Sequence, residues 1–198
     1  KIFRKDQIHR LLKQISEDPR VYIDTASSYT NAESLIGEFG CNILSNKITT
    51  KISINNQSTS RTVNDSIKDS LRRVRQENFY SVLIHNSEAI DFGRLQDVIS
   101  GLEESKAIGL TSYIGVSTYE AKSIIDLNKH SESFTHFQIN ENAIASSNMV
   151  EAPKTMYLAS PKRPTFLPKK RANTIGKSAY TAPSKPISAG VAPISIAR

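Results

Sequence analysis

Four residues of this chain, Asp24, Tyr29, Lys51 and His85, are of types that together can move a proton. A tyrosine, with an ordinary pKa of about 10, is too weak an acid near neutrality. A lysine ammonium beside it favours the phenolate and lowers that value, and an aspartate beside the lysine keeps the lysine charged and oriented. A histidine can donate a hydrogen bond to a substrate oxygen. Combined, they make a tuned general acid with a donor on the oxyanion side. That equipment suits protonating a carbonyl oxygen while a hydride reaches its carbon. Singly, each has an ordinary structural reading: Asp24 as a turn residue, Lys51 as a solvated lysine, His85 as a bonded core histidine, Tyr29 as packing.

The elements that must position them follow from hydrophobic period. Residues 4–18 repeat Ile8, Leu11, Leu12 and Ile15 at helical steps, and Asp18–Pro19 ends that run. "RVYIDTA" (20–26) reads as a strand, and "NAESLIGEFG" (31–40) as a helix with Asn31 as its N-cap. "KITTKI" (47–52) is a strand rich in β-branched residues. Residues 60–76 are a helix on Val63, Ile67, Leu71 and Val74, and "FYSVLIH" (79–85) is a strand. A helix over 91–106, a strand over 112–117, a helix over 119–129 and a strand over 134–140 complete the body. Alternating strands and helices imply parallel strands joined by crossover helices. An open doubly wound sheet usually announces itself by a glycine-rich G-x-G-x-x-G turn, and none occurs here. A (β/α)₈ barrel of the TIM type is therefore expected, with about five βα units. Its strand ends carry Asp24, Lys51, His85, Ser117 and Gln138. In such a barrel the C-terminal strand ends converge on one face, where active sites form.

Composition splits the chain in two. Residues 1–150 hold 17 Lys+Arg against 18 Asp+Glu, a net of −1, whereas residues 151–198 hold 9 against 1, a net of +8. Seven of the 8 prolines lie in that second segment, which has no sustained helical or strand period. The expected organisation is a partial barrel over 1–150 and a basic Pro/Lys/Ser-rich tail over 151–198, irregular or disordered. The single cysteine, Cys41, allows no internal disulfide and points to a reducing, cytoplasmic setting. No apolar run reaches the roughly 18–20 residues of a membrane span. No signal peptide is visible, and the chain starts at Lys1 without Met, so its natural N-terminus is expected to be missing.

The motifs also match a known pattern. "DTASSYTNAESLIG", "ITTK", "SIKDSLRRVRQENFYSVLIHN", "GLEESKAIGLTSYIGVST" and "FQIN" occur in the order and spacing of the aldo-keto reductases, and the stretch from about residue 20 to 142 resembles that family. The resemblance implies a (β/α)₈ barrel, here its strands 2–6, that reduces aldehydes or ketones with NADPH or NADH. It implies Tyr29 as general acid, Lys51 and Asp24 as its tuning pair and His85 as the carbonyl-orienting donor. Ser117, Thr118 and Gln138 would hold the nicotinamide carboxamide, and no metal is assigned. Thr30 stands where the family has Gly, which reads as a small change, and Thr118 where it has Asn; Ser105–Lys106 replaces a Gly-Lys pair. The chain is expected to be truncated at both ends, without the segment that grips the cofactor's phosphates. The expected partner is a small carbonyl substrate, not nucleic acid or a membrane; the oligomeric state is not legible. The alternative is a non-enzymatic scaffold or pseudoenzyme whose basic tail binds acidic partners or nucleic acid by charge.

Overall fold

A computed structural model of the chain describes residues 4–40, 43–85, 92–119, 133–140, 156–159 and 194–195. Helix α1 spans Lys5–Glu17, followed by β1 (Ile23–Asp24), α2 (Ala32–Gly40) and β2 (Ile48–Ser53). Then come α3 (Ser60–Val74), β3 (Phe79–His85), α4 (Phe92–Ala107), β4 (Thr111–Thr118) and β5 (His136–Asn140). Two short strands, β6 (Met156–Ala159) and β7 (Ile194–Ser195), complete the order. Of the helix expected over 119–129, residues 120–129 lie outside the described residues.

All described strand pairs are parallel, in the order β6-β5-β4-β3-β2-β1-β7. Strands β1 to β5 and their helices form a half-barrel. Beyond residue 150, where the sequence leads us to expect an irregular tail, the described residues are two short segments that lie along the edges of the sheet. Residues 156–159 pair with β5 from Phe137↔Met156 to Asn140↔Ala159, and Ile194 and Ser195 pair with Ile23 and Asp24. The physical reason is that an edge strand offers backbone donors and acceptors to any extended segment. Four residues are too few to display a period of two.

The two faces of the sheet carry different residues, and the register decides which. Ile48 and Ile52 of β2, Val82 and Ile84 of β3, Ile114 and Val116 of β4 and Phe137 of β5 are buried in one apolar cluster. Leu12 and Ile15 of α1, Ile36 of α2, Val63, Ile67 and Val74 of α3 and Leu95, Val98 and Leu102 of α4 complete it. Leu12 and Ile15 of α1 and Val63, Ile67 and Val74 of α3 belong to the helical stripes read from the sequence. Burying such side chains contributes about 1.5–3 kcal/mol each. Helices α2 and α3 pack closely because Gly37 lacks a side chain: a Cβ there would stand 2.1 Å from the Arg73 carbonyl oxygen. On the same side, buried Glu33 accepts from Thr50 Oγ1 at 2.7 Å and from Arg73 Nε at 2.7 Å, tying α2 to β2 and α3. With Thr50 held toward the helices, its neighbour Lys51 must face the other way.

Candidate active site

The opposite face of the sheet gathers the polar strand-end residues. Asp24 aligns with Thr49, Ser53 with His85, His85 with Ser117, and Ser117 with Gln138. Paired residues share a face and alternate residues of one strand share a face. Asp24, Lys51, His85, Ser117 and Gln138 therefore all project to the side away from the helices. A register slip of one residue in any strand would have removed its member. Thr118 has the opposite parity to Ser117; it is buried and aligned with Ile139, so it does not join that face.

Asp24 closes β1, and the backbone continues alongside β2 beyond it. Thr25 N donates to Thr49 O at 2.9 Å and Ser27 N to Lys51 O at 2.9 Å. The chain then turns sharply, Tyr29 N bonding Ala26 O at 3.0 Å and Ala32 N bonding Tyr29 O at 2.8 Å. That turn brings the phenol back over the strand ends. Thr30 takes a left-handed φ of 36° within it.

Lys51 and Asp24 form a buried ion pair. Lys51 Nζ lies 2.6 Å from Asp24 Oδ1, with side-chain exposures of 3% and 5%. The same ammonium donates to the Thr25 carbonyl at 3.1 Å. The other carboxylate oxygen, Asp24 Oδ2, accepts from Gln138 Nε2 at 3.2 Å. Burial pulls the Lys51 pKa down while the Asp24 charge and hydrogen bond push it back up. Lys51 Nζ also sits 5.4 Å from the Tyr29 ring centre. His85 meets Tyr29 edge-on, ring centres 6.2 Å apart at 87°. Ser28 Oγ lies 3.3 Å from His85 Nδ1.

One expectation is reversed in the resting protein. The sequence has the lysine lowering the Tyr29 pKa, yet that pKa is raised, first by burial and then by the charge of Asp24 and by Tyr119. The lysine's charge is already neutralised by the carboxylate at 2.6 Å, so loss of solvation dominates. The phenol keeps its proton throughout the neutral range. Its contribution to stability is full below pH 10 and is lost as pH rises past the raised value.

Four residues read from the sequence, Asp24, Tyr29, Lys51 and His85, thus stand together, with Gln138 bonded to the first. The sequence does not single out Ser28 or Thr25. Ser28 is one hydroxyl in a run of small polar residues, and Thr25 contributes a main-chain carbonyl, which no residue type signals.

Among known proteins, a model of the Aldo/keto reductase family matches residues 4–158. The chain is 35% identical over 100 residues to the methylglyoxal reductase DkgB of Escherichia coli O157:H7, covering 49% of this chain and 37% of that protein. The chain thus spans little more than a third of the length of that curated relative. A thermostable aldo-keto reductase solved with the inhibitor epalrestat superposes with a TM-score of 0.62 at 22% identity, covering 89% of this chain and 68% of that one. An aldo-keto reductase of Bombyx mori in complex with NADP gives 0.57 at 19% identity, covering 81% and 57%. These two show the fold, and the match over residues 4–158, most of the chain, places the protein in the aldo/keto reductase family.

Proposed function

We propose that this chain carries the proton-transfer half of an NADPH-dependent reductase of aldehydes and ketones. The observation that carries the reading is the buried Lys51–Asp24 pair beside a phenol that stays protonated at neutral pH. A carbonyl oxygen placed between Tyr29 and His85 would accept a hydrogen bond from each. As negative charge develops on it, the Tyr29 hydroxyl gives up its proton. The phenolate left behind is then stabilised by the Lys51 ammonium, which Asp24 and the Thr25 carbonyl hold in place. His85, with Ser28 at its Nδ1, orients the carbonyl.

The residues present suit a nicotinamide ring. Gln138 Oε1 is buried and has no hydrogen-bond partner among the described residues, so it can accept from a carboxamide N–H. Ser117, aligned with Gln138 on the same face, can share that carboxamide, whereas Thr118, expected there from the sequence, lies on the opposite face and is not part of this reading. The bound dinucleotide supplies the hydride. The Bombyx mori neighbour solved with NADP supports NADPH as reductant. The relative named for methylglyoxal reduction supports a small carbonyl substrate. The single cysteine supports a cytosolic setting. No helix among the described residues is long and apolar enough to cross a membrane.

The test is to titrate the full chain with NADPH and then follow its oxidation on adding a nitrobenzaldehyde. Saturable binding and aldehyde-dependent oxidation are expected. Absence of both would overturn the reading for this chain.

A further inference from the structure

The two ends of the Gln138 amide meet different surroundings. Gln138 is 5% exposed; Nε2 donates to Asp24 Oδ2 at 3.2 Å, and Oε1 is buried without a partner among the described residues. An amide can be turned over within nearly the same volume, so its partners decide which end points where. The Asp24 carboxylate, ion-paired with Lys51 at 2.6 Å, accepts hydrogen bonds and has none to donate. Turning the amide over would set oxygen against oxygen with no proton between them. Asp24 therefore compels Nε2 toward itself and Oε1 toward the opposite side. Ser117, aligned with Gln138, carries a hydroxyl that can donate or accept, so it imposes no direction.

We propose that Asp24, besides holding Lys51, locks the Gln138 amide through its hydrogen bond, so that the site presents a buried acceptor and selects a ligand carboxamide over a carboxylate. This rests on the functional reading above. A carboxamide donates to Oε1. A carboxylate there has no proton to give and brings a second negative charge close to Asp24. The site is thereby matched to a dinucleotide with an amide on its pyridine ring and set against the deamido form. Asp24 is in this respect a positioning residue acting through Gln138.

The test uses the full chain, calorimetric titration with NADP and with its deamido counterpart, and two variants. Wild type is expected to prefer the amide form by at least about tenfold, because a site built to pair with a donor rejects a group lacking it. In Asp24→Asn the new amide can donate or accept, so Gln138 can turn and the preference is expected to fall about tenfold. Gln138→Leu leaves the Asp24–Lys51 pair in place and should lose the preference too; it decides the matter if Asp24→Asn fails to fold. A wild-type preference retained in either variant would overturn the proposal. An independent readout is hydrogen exchange of the Gln138 side-chain NH₂ in the ligand-free protein. It should be slow in wild type and fast in Asp24→Asn, and equal rates would overturn the locked orientation. Failure of wild type to bind either dinucleotide would remove the proposed function, while the exchange result would still decide the orientation.

Discussion

Thr30 carries a β-branched side chain at φ 36°, in the left-handed region that favours glycine. The sequence presents this departure from the family's glycine as minor. The backbone makes it a strained position directly after Tyr29, of the kind that costs about 1–2 kcal/mol. Thr30→Gly is expected to stabilise the protein by about 0.5–1 kcal/mol net of the greater freedom of glycine in the unfolded chain. Urea denaturation checks this, and an unchanged or lower midpoint would mean that the turn is not strained. The site residues were legible at this scale because their chemistry is in their side chains: an acid, a phenol, an ammonium and an imidazole at strand ends. The Tyr29 proton affinity was not. It depends on burial and on whether Asp24 or solvent neutralises Lys51, and both are properties of the packed site.

At the scale of elements, the site depends on how closely β4 and β5 approach. Gly115 aligns with His136, and a Cβ at Gly115 would stand 1.6 Å from the His136 carbonyl oxygen. No rotamer relieves a clash with backbone, so Gly115→Ala must push β5 away. Gln138 lies two residues along that strand and would move with it, away from Asp24. The substitution is expected to destabilise by about 1–3 kcal/mol or more. It should also weaken dinucleotide binding, measured by titration; wild-type binding would show that Gln138 is not placed by this contact. The elements themselves were legible because apolar residues recur at helical steps in α1, α3 and α4, because β2 is rich in β-branched residues and because β3 is apolar along most of its length. Strand β6 was not, since the "MYLA" segment is too short to show a pattern and pairs through its backbone. The close fit at Gly115 was hidden because a glycine has the same letter whether it is crowded or free.

Across the whole molecule, His136 ties stability to pH. Its ring stacks on Tyr113 at 4.2 Å, meets Tyr80 at 5.4 Å, and its Nδ1 lies 3.1 Å from Thr135 Oγ1. Burial, aided by the charge of Lys106, pushes its pKa down from 6.5 to about 4. Between those values the unfolded chain binds a proton that the folded protein does not. The contribution is therefore complete above pH 6.5 and is lost as pH falls through about 4, up to about 3 kcal/mol. Denaturation midpoints across that interval should fall with acid, and His136→Gln should flatten the slope; an unchanged slope would place the acid sensitivity elsewhere. Strand, turn and buried ion pair all converge on the claim that Tyr29 delivers the proton. The most direct test compares NADPH-dependent reduction of a nitrobenzaldehyde by the full chain and by Tyr29→Phe, with dinucleotide affinity measured beside it. The predicted result is a kcat lower by about 10²–10⁴, the usual contribution of a general acid, with affinity unchanged. Turnover by Tyr29→Phe at the wild-type rate would contradict it.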